Sequence, residues 1–307
     1  MLAPKILLLT CISMLAFAGN SLLCRLALKH TGIDAASFTT LRLVSGAIVL
    51  ALIVLVRERV ARRSDIRASA KPVVGTGGKG GTWLSALALY AYAAAFSFAY
   101  TTLPTGSGAL LLFGTVQAGM IGYGLFQGER FNVPQLIGLT CAVGGLIWLL
   151  LPGVAAPPVA GALLMMVAGL GWAVYSLRAK GAGDPTTVTA GNFMRAAAFA
   201  VLFSVATYRS MTLDIPGISY ALLSGTLASG IGYAVWYTAL RSLPATIAAV
   251  VQSSVPVLAA IGGVIILEES FTLRLVIASI AILGGVTLVI TQKRATVHEQ
   301  KKAAIRS

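Results

Sequence analysis

Apolar residues along this chain do not alternate with polar ones. They gather in long unbroken stretches separated by short polar breaks. Ten stretches can be drawn, over residues 5–28, 35–56, 82–102, 104–127, 132–151, 159–178, 187–207, 216–240, 244–267 and 271–291. A helix crossing the hydrocarbon core of a bilayer needs roughly 20 such residues. Membrane strands are about half that length and alternate in polarity, and neither property is seen here. The pattern predicts an all-α integral membrane protein with ten transmembrane helices and almost no soluble domain.

The second half of the pattern repeats the first. At an offset of 140 without a gap, Leu103-Pro104 falls on Leu243-Pro244, Glu129 on Glu269 and Gly144-Gly145 on Gly284-Gly285. Upstream, an offset of 153 places Arg25 on Arg178 and Arg42 on Arg195. The extra 13 residues lie in the polar segment 57–81 of the first half. Two five-helix units are expected, residues 5–151 and 159–291, followed by a basic tail at 292–307. Five is odd, so the second unit enters the bilayer from the opposite side. The repeats are then inverted about an axis in the membrane plane, with a central cavity between them.

Charge orients the helices. Hydrophobic residues make up 57% of the chain and charged residues 10%, against about 25% charged in a soluble domain. The net charge of +14 concentrates in two places. Arg57, Arg59, Arg62, Arg63, Arg67, Lys71 and Lys79 lie between the second and third stretches, and Lys293, Arg294, Lys301, Lys302 and Arg306 lie in the tail. Positive residues stay cytoplasmic, which puts both termini inside a bacterial-type inner membrane. The basic excess is thus assigned to topology and not to nucleic acid. Lys5 and Ala16-Phe17-Ala18 imitate a secretory signal. The apolar run continues beyond them, and residues 14–25 align with 167–178, so the segment is read as a retained helix.

Each unit has an Arg early in its second helix and a Glu closing its fourth. The segments are Phe38-Thr39-Thr40-Leu41-Arg42-Leu43, Phe126-Gln127-Gly128-Glu129-Arg130 and Val255-Pro256-Val257-Leu258-Ala259-Ala260 running on to Glu268-Glu269. On these, over residues 5 to 292, the chain resembles the drug/metabolite transporter superfamily, specifically paired EamA domains. The resemblance implies a basket of ten helices whose cavity is lined by the first, third, fourth, sixth, eighth and ninth. It spans exporters of amino acids and drugs and carriers of other metabolites. An exporter of amphipathic metabolites, amino acids with aromatic ones included, is expected. A drug, organic-cation or sugar-type permease is the alternative. A membrane-embedded enzyme would need convergent acids, bases or a metal at one depth, and a non-transporting scaffold would need no inverted repeat.

Polar and aromatic residues inside the stretches mark the expected cavity. Charges there cost about 2.5 kcal/mol or more at the centre, so each needs a partner or a role. The inverted geometry suggests the structural pairs Arg42 with Glu268 or Glu269 and Arg195 with Glu129, the alternative being that an Arg binds a substrate carboxylate. Asn20, Gln117 and Gln252 are amides within spans, and Tyr92, Trp172, Tyr175 and Tyr233 are aromatic residues within them. Together they suit an amphipathic, flat or zwitterionic solute. Pro104 and Pro244 should start helices. Pro256 should kink one beside Gln252, and the three prolines are candidate hinges.

None of the nine acidic residues and neither histidine is placed at mid-membrane, so facilitated diffusion or exchange is expected and proton coupling is not. Gly75-Thr76-Gly77-Gly78-Lys79-Gly80-Gly81 lacks the spacing of a phosphate-binding loop and reads as a linker. Cys11, Cys24 and Cys141 are isolated, which predicts neither disulfide nor metal site. No cofactor is expected. The partners are a small-molecule substrate and the lipid bilayer, with a monomer favoured over a homodimer.

Overall fold

A computed structural model describes residues 4–67, 80–128, 132–153, 156–179, 183–240, 242–243 and 251–306. Among these the regular structure is all helix, with no strand. The helices are α1 (Pro4–His30), α2 (Ala35–Arg67), α3 (Trp83–Tyr100), α4 (Thr105–Phe126), α5 (Val133–Leu150), α6 (Val159–Ala179) and α7 (Pro185–Ala206). They continue as α8 (Ile215–Leu240), α9 (Ser254–Leu267) and α10 (Leu273–Arg306). Eight of the described helices, α1 to α8, are long and apolar enough to cross a bilayer, and two shorter apolar stretches follow at Ser254–Leu267 and Leu273–Val289.

The helix starts follow from local chemistry. Asp184 and Asp214 accept the backbone N–H of Thr187 and Gly217, and Pro185 and Pro216 fill first-turn positions that need no donor. Asn132 and Gln135 form a reciprocal capping box on α5. Pro104 stands just before the first turn of α4. Pro256 lies within the first turn of α9, preceded by a break in the helix at Ser253. The expected mid-helix kink is therefore a helix start, where proline removes no ladder bond. Pro244 and Glu129 lie outside the described residues.

The outer faces of these helices carry Leu, Ile, Val and Phe in the open, among them Phe126, Ile215, Leu273 and Ile280. So much exposed apolar surface has no counterpart on a water-soluble protein and is met by lipid. The chain is a multi-pass membrane protein. Inside, α2 packs on α7, α3 and α4 on α6, α1 on α8 and α9, α4 on α9, and α5 on α10. Small residues set the closest approaches. A Cβ at Gly285 would meet the backbone of Gly138 and Ala142, whereas one at Gly284 would meet open space. Only one residue of each glycine pair thus faces the α5–α10 seam.

Helix α8 is irregular at its middle. Ser224–Ile231 winds as a π-helix between α-helical flanks. A Cβ at Gly225, within this segment, would strike the Ser45 side chain and the Arg42 carbonyl of α2. Wide π-turns tend to mark functional positions, and this one borders the cavity described next.

Gly285→Leu should destabilise the protein by about 1–3 kcal/mol through overpacking, while Gly284→Leu stays within about 0.5 kcal/mol of wild type. Unfolding in detergent measures both, and equal losses would show that the seam does not depend on Gly285.

Candidate functional site: the central cavity

The site begins with rings. Trp172 of α6 lies nearly parallel to Tyr233 of α8, with centroids 5.4 Å apart. Tyr92 of α3 packs on Trp172 at 4.9 Å, and Phe17 of α1 on Tyr233 at 5.6 Å. These four rings, with Phe96 and Phe113, wall a cavity whose polar lining is Asn20, Ser21, Ser229 and Gln252. Its free volume is about 30 Å³, enough for about one water molecule. Asn20 accepts a 2.7 Å hydrogen bond from Ser224, at the head of the π-segment.

Of the residues expected at the cavity, Asn20, Tyr92, Trp172, Tyr233 and Gln252 line it, and Gln117 and Tyr175 do not. Gln117 is buried along α4. Tyr175 still packs on Trp172 at 5.5 Å, but its hydroxyl donates to Thr189 of α7 at 3.5 Å. One helical turn beyond Trp172, its ring belongs to the α6–α7 seam. Phe17, Phe96 and Ser229 were not anticipated. The first two are apolar residues among many, and Ser229 reaches the cavity through a winding that regular periodicity does not contain. A cluster of Gly and Ser at Ser224-Gly225 and Ser229-Gly230 was the available signal.

The charges are arranged differently from expectation. Glu269 pairs with Arg25 at 3.3 Å, and not with Arg42. Arg25 also donates to the carbonyls of Tyr100 at 2.8 Å and Thr101 at 3.0 Å. The other oxygen of Glu269 accepts the Thr105 N–H at 2.7 Å. The reason is helix direction. α1 and α9 pack side by side and run parallel, so Arg25 near the end of one meets Glu269 just past the end of the other. The resulting knot joins α1, the α3–α4 turn and the end of α9.

Arg42 instead sits wholly buried behind the cavity wall. Its Nε donates to Ser229 Oγ at 3.2 Å, and Nη2 to the Tyr92 hydroxyl at 3.1 Å. Its guanidinium carbon lies 5.4 Å from the Tyr92 ring centre and 5.0 Å from that of Phe96. Arg195 is held by the carbonyls of Gly80 at 2.6 Å and Gly191 at 2.8 Å and lies over Trp83. Its expected partner, Glu129, lies outside the described residues.

At the helix ends, Asp184 receives Arg57 at 3.2 Å as well as its own cap bonds. Partial burial would raise its carboxyl. The bonds from Thr187 and the Arg57 guanidinium outweigh that and bring it from 3.8 to about 2. Asp34 is likewise lowered, because bonds from Ser37, Thr212 and Ala36 outweigh its burial.

Two outcomes follow for these charges. Arg25→Gln or Glu269→Gln alone should cost about 3–5 kcal/mol, since each leaves a buried charge without its counterion. The double variant should lose clearly less than the sum, and additive losses in unfolding assays would show no coupling. A lowered folded-state carboxyl contributes stability above its unfolded value and loses it as the pH falls through the folded one. The destabilisation by Asp184→Asn should thus be constant above about pH 4 and vanish towards pH 2. An unchanged difference at pH 2 would contradict the carboxylate bonds.

Comparison with known proteins places this geometry in a family. The model of the EamA-like transporter family matches residues 159–291. An uncharacterized protein of Pseudomonas aeruginosa is 53% identical over 289 residues, 94% of this chain and 96% of that one. The threonine/homoserine exporter RhtA of Salmonella typhimurium is 32% identical over 211 residues, 64% of this chain and 68% of that one. A crystal structure with 19% identity superposes at a TM-score of 0.63 over 92% of this chain and 96% of the other, which supports the fold. The chain belongs to the EamA-like transporter family, within the drug/metabolite transporter superfamily.

Proposed function

We propose that this protein exports small amphipathic metabolites, amino acids with aromatic ones among them, by alternating access as a facilitator or exchanger. The observation that carries the reading is the cavity of stacked rings, amides and hydroxyls where α1, α3, α4, α6, α8 and the segment just before α9 converge. Rings accept an apolar side chain, while Asn20 and Gln252 offer hydrogen bonds to an amino acid's polar end. The likeness to a threonine/homoserine exporter favours the same class of solute.

The architecture behind this reading is two inverted five-helix repeats, 5–151 and 159–291, with ten spans and both termini in the cytoplasm of an inner membrane. Helix contacts support it. Exchanging α1–α5 for α6–α10 turns the α3–α6 contact into α8–α1, α4–α6 into α9–α1 and α3–α7 into α8–α2, and all of these contacts occur. The pairs α2–α7, α4–α9 and α5–α10 exchange into themselves and occur as well. Alternating access follows from such a pair when one repeat rocks on the other. A cavity of about 30 Å³ is too small for an amino acid, so solute passage requires that rocking. Pro104 and Pro256, each at a helix start beside the moving seam, and Pro244 are the hinges of this reading.

Liposomes holding the purified protein and loaded with unlabelled amino acid should take up labelled amino acid by exchange, saturably and without an imposed pH gradient. Asn20→Ala and Gln252→Ala should raise the half-saturation concentration about 2- to 10-fold, the worth of one hydrogen bond. Uphill uptake driven only by a pH gradient would overturn the facilitator reading. Exchange of organic cations or sugars but no amino acid would favour the alternative substrates.

A further inference from the structure

We propose that Arg42 is the carboxylate receptor of the cavity, the group that makes it select solutes bearing a free carboxylate over their neutral analogues. The proposal rests on the reading of the cavity as a transport site and names what that site recognises.

The arginines within the fold differ in what neutralises them. Arg25 has Glu269 and two carbonyls. Arg57 has Asp184. Arg195 has two carbonyls. Arg42 is the most deeply buried of these, at 1% exposure, yet no carboxylate among the described residues pairs with it. Among the described residues its hydrogen-bond acceptors are two neutral hydroxyls, and its Nη1 has no partner there. A guanidinium cannot relieve this by losing its proton. Stacking on Tyr92 and Phe96 stabilises the cation in part. The remaining N–H groups form a fork suited to a carboxylate.

Position decides what anion could arrive. Tyr92, Phe96 and Ser229, which hold the guanidinium, all line the cavity. A solute in the cavity is therefore separated from Arg42 by a single layer of side chains, and rotation of the Ser229 hydroxyl would open the way. Ser229 stands on the π-helical stretch of α8, the least regular part of the wall and the part best able to yield. Asn20, Ser21 and Gln252 contribute neutral polar groups to the same space. One buried cation with neutral polar partners fits a monocarboxylate or a zwitterion better than an organic cation.

The test measures equilibrium binding in detergent and exchange in liposomes for threonine and phenylalanine, each against its carboxamide and its decarboxylated amine. The wild type should prefer the free acid by about tenfold or more, the worth of one charge-assisted hydrogen bond. Arg42→Gln should bring that ratio close to one. Arg42→Lys, which keeps the charge but loses the fork, should retain part of it. A folded Arg42→Gln protein with the wild-type ratio overturns the proposal, and so does a wild type that does not discriminate. Should Arg42→Gln fail to fold, Arg42→Lys decides, and an unchanged ratio overturns the proposal. Acid-selective binding without exchange would preserve the role of Arg42 and overturn the transport reading. Exchange without acid preference would do the reverse.

Discussion

A chain solvated by lipid must satisfy its buried charges from within, and this one has fewer acids than bases to do it with. Glu269 is the one acidic side chain that forms a buried ion pair among the described residues, and Arg25 takes it. Two acceptor oxygens then serve two helices at once, since the second binds the first N–H of α4. The knot ties the end of α1, the turn into α4 and the end of α9. Its satisfaction leaves Arg42 to aromatic faces and hydroxyls, and that shortage gives the middle of the protein its chemistry.

Packing places the shortage where a solute could meet it. α2 carries Arg42 against the π-helical part of α8, where Gly225 lets the two backbones come close. The same stretch delivers Ser224 to Asn20 and Ser229 to Arg42. One irregular segment thus touches both the amide and the cation that border the cavity. A regular α-helix over Ser224–Ile231 would rotate one of these hydroxyls away. The irregular winding therefore coincides with the polar lining.

The sequence made the helices legible because hydropathy at this length leaves few alternatives. The stretch read as 159–178 becomes a helix over Val159–Ala179, and that read as 216–240 one over Ile215–Leu240. Five cavity residues were legible for a related reason, since amides and tyrosines in apolar spans stand out. The ion pair was misread because repeat symmetry was applied to partners as well as to positions. Symmetry matches Arg42 with Arg195, but which arginine reaches Glu269 depends on which helix ends meet, and only packing decides that. Ser229 was missed because its orientation depends on a π-turn at which the Gly and Ser cluster only hints, and Phe17 and Phe96 because nothing distinguishes a lining phenylalanine from a lipid-facing one in sequence.

Matched positions that differ carry the remaining information. Asn20 aligns with Ala173 and Gln252 with Leu112. Both amides line the cavity, and Leu112 faces it as well. One wall is therefore polar where its counterpart is apolar, and the asymmetry lies at Asn20 and Gln252. Arg42 and Arg195 make the same point with identical residues. The first is left with an unpartnered Nη1 behind the cavity, and the second is closed off by the carbonyls of Gly80 and Gly191. Identity at matched positions fixes the residue type, but the surroundings decide whether its charge is spent on the scaffold or kept for a ligand. A duplicated chain can therefore hold two copies of one arginine and expose only one of them to chemistry.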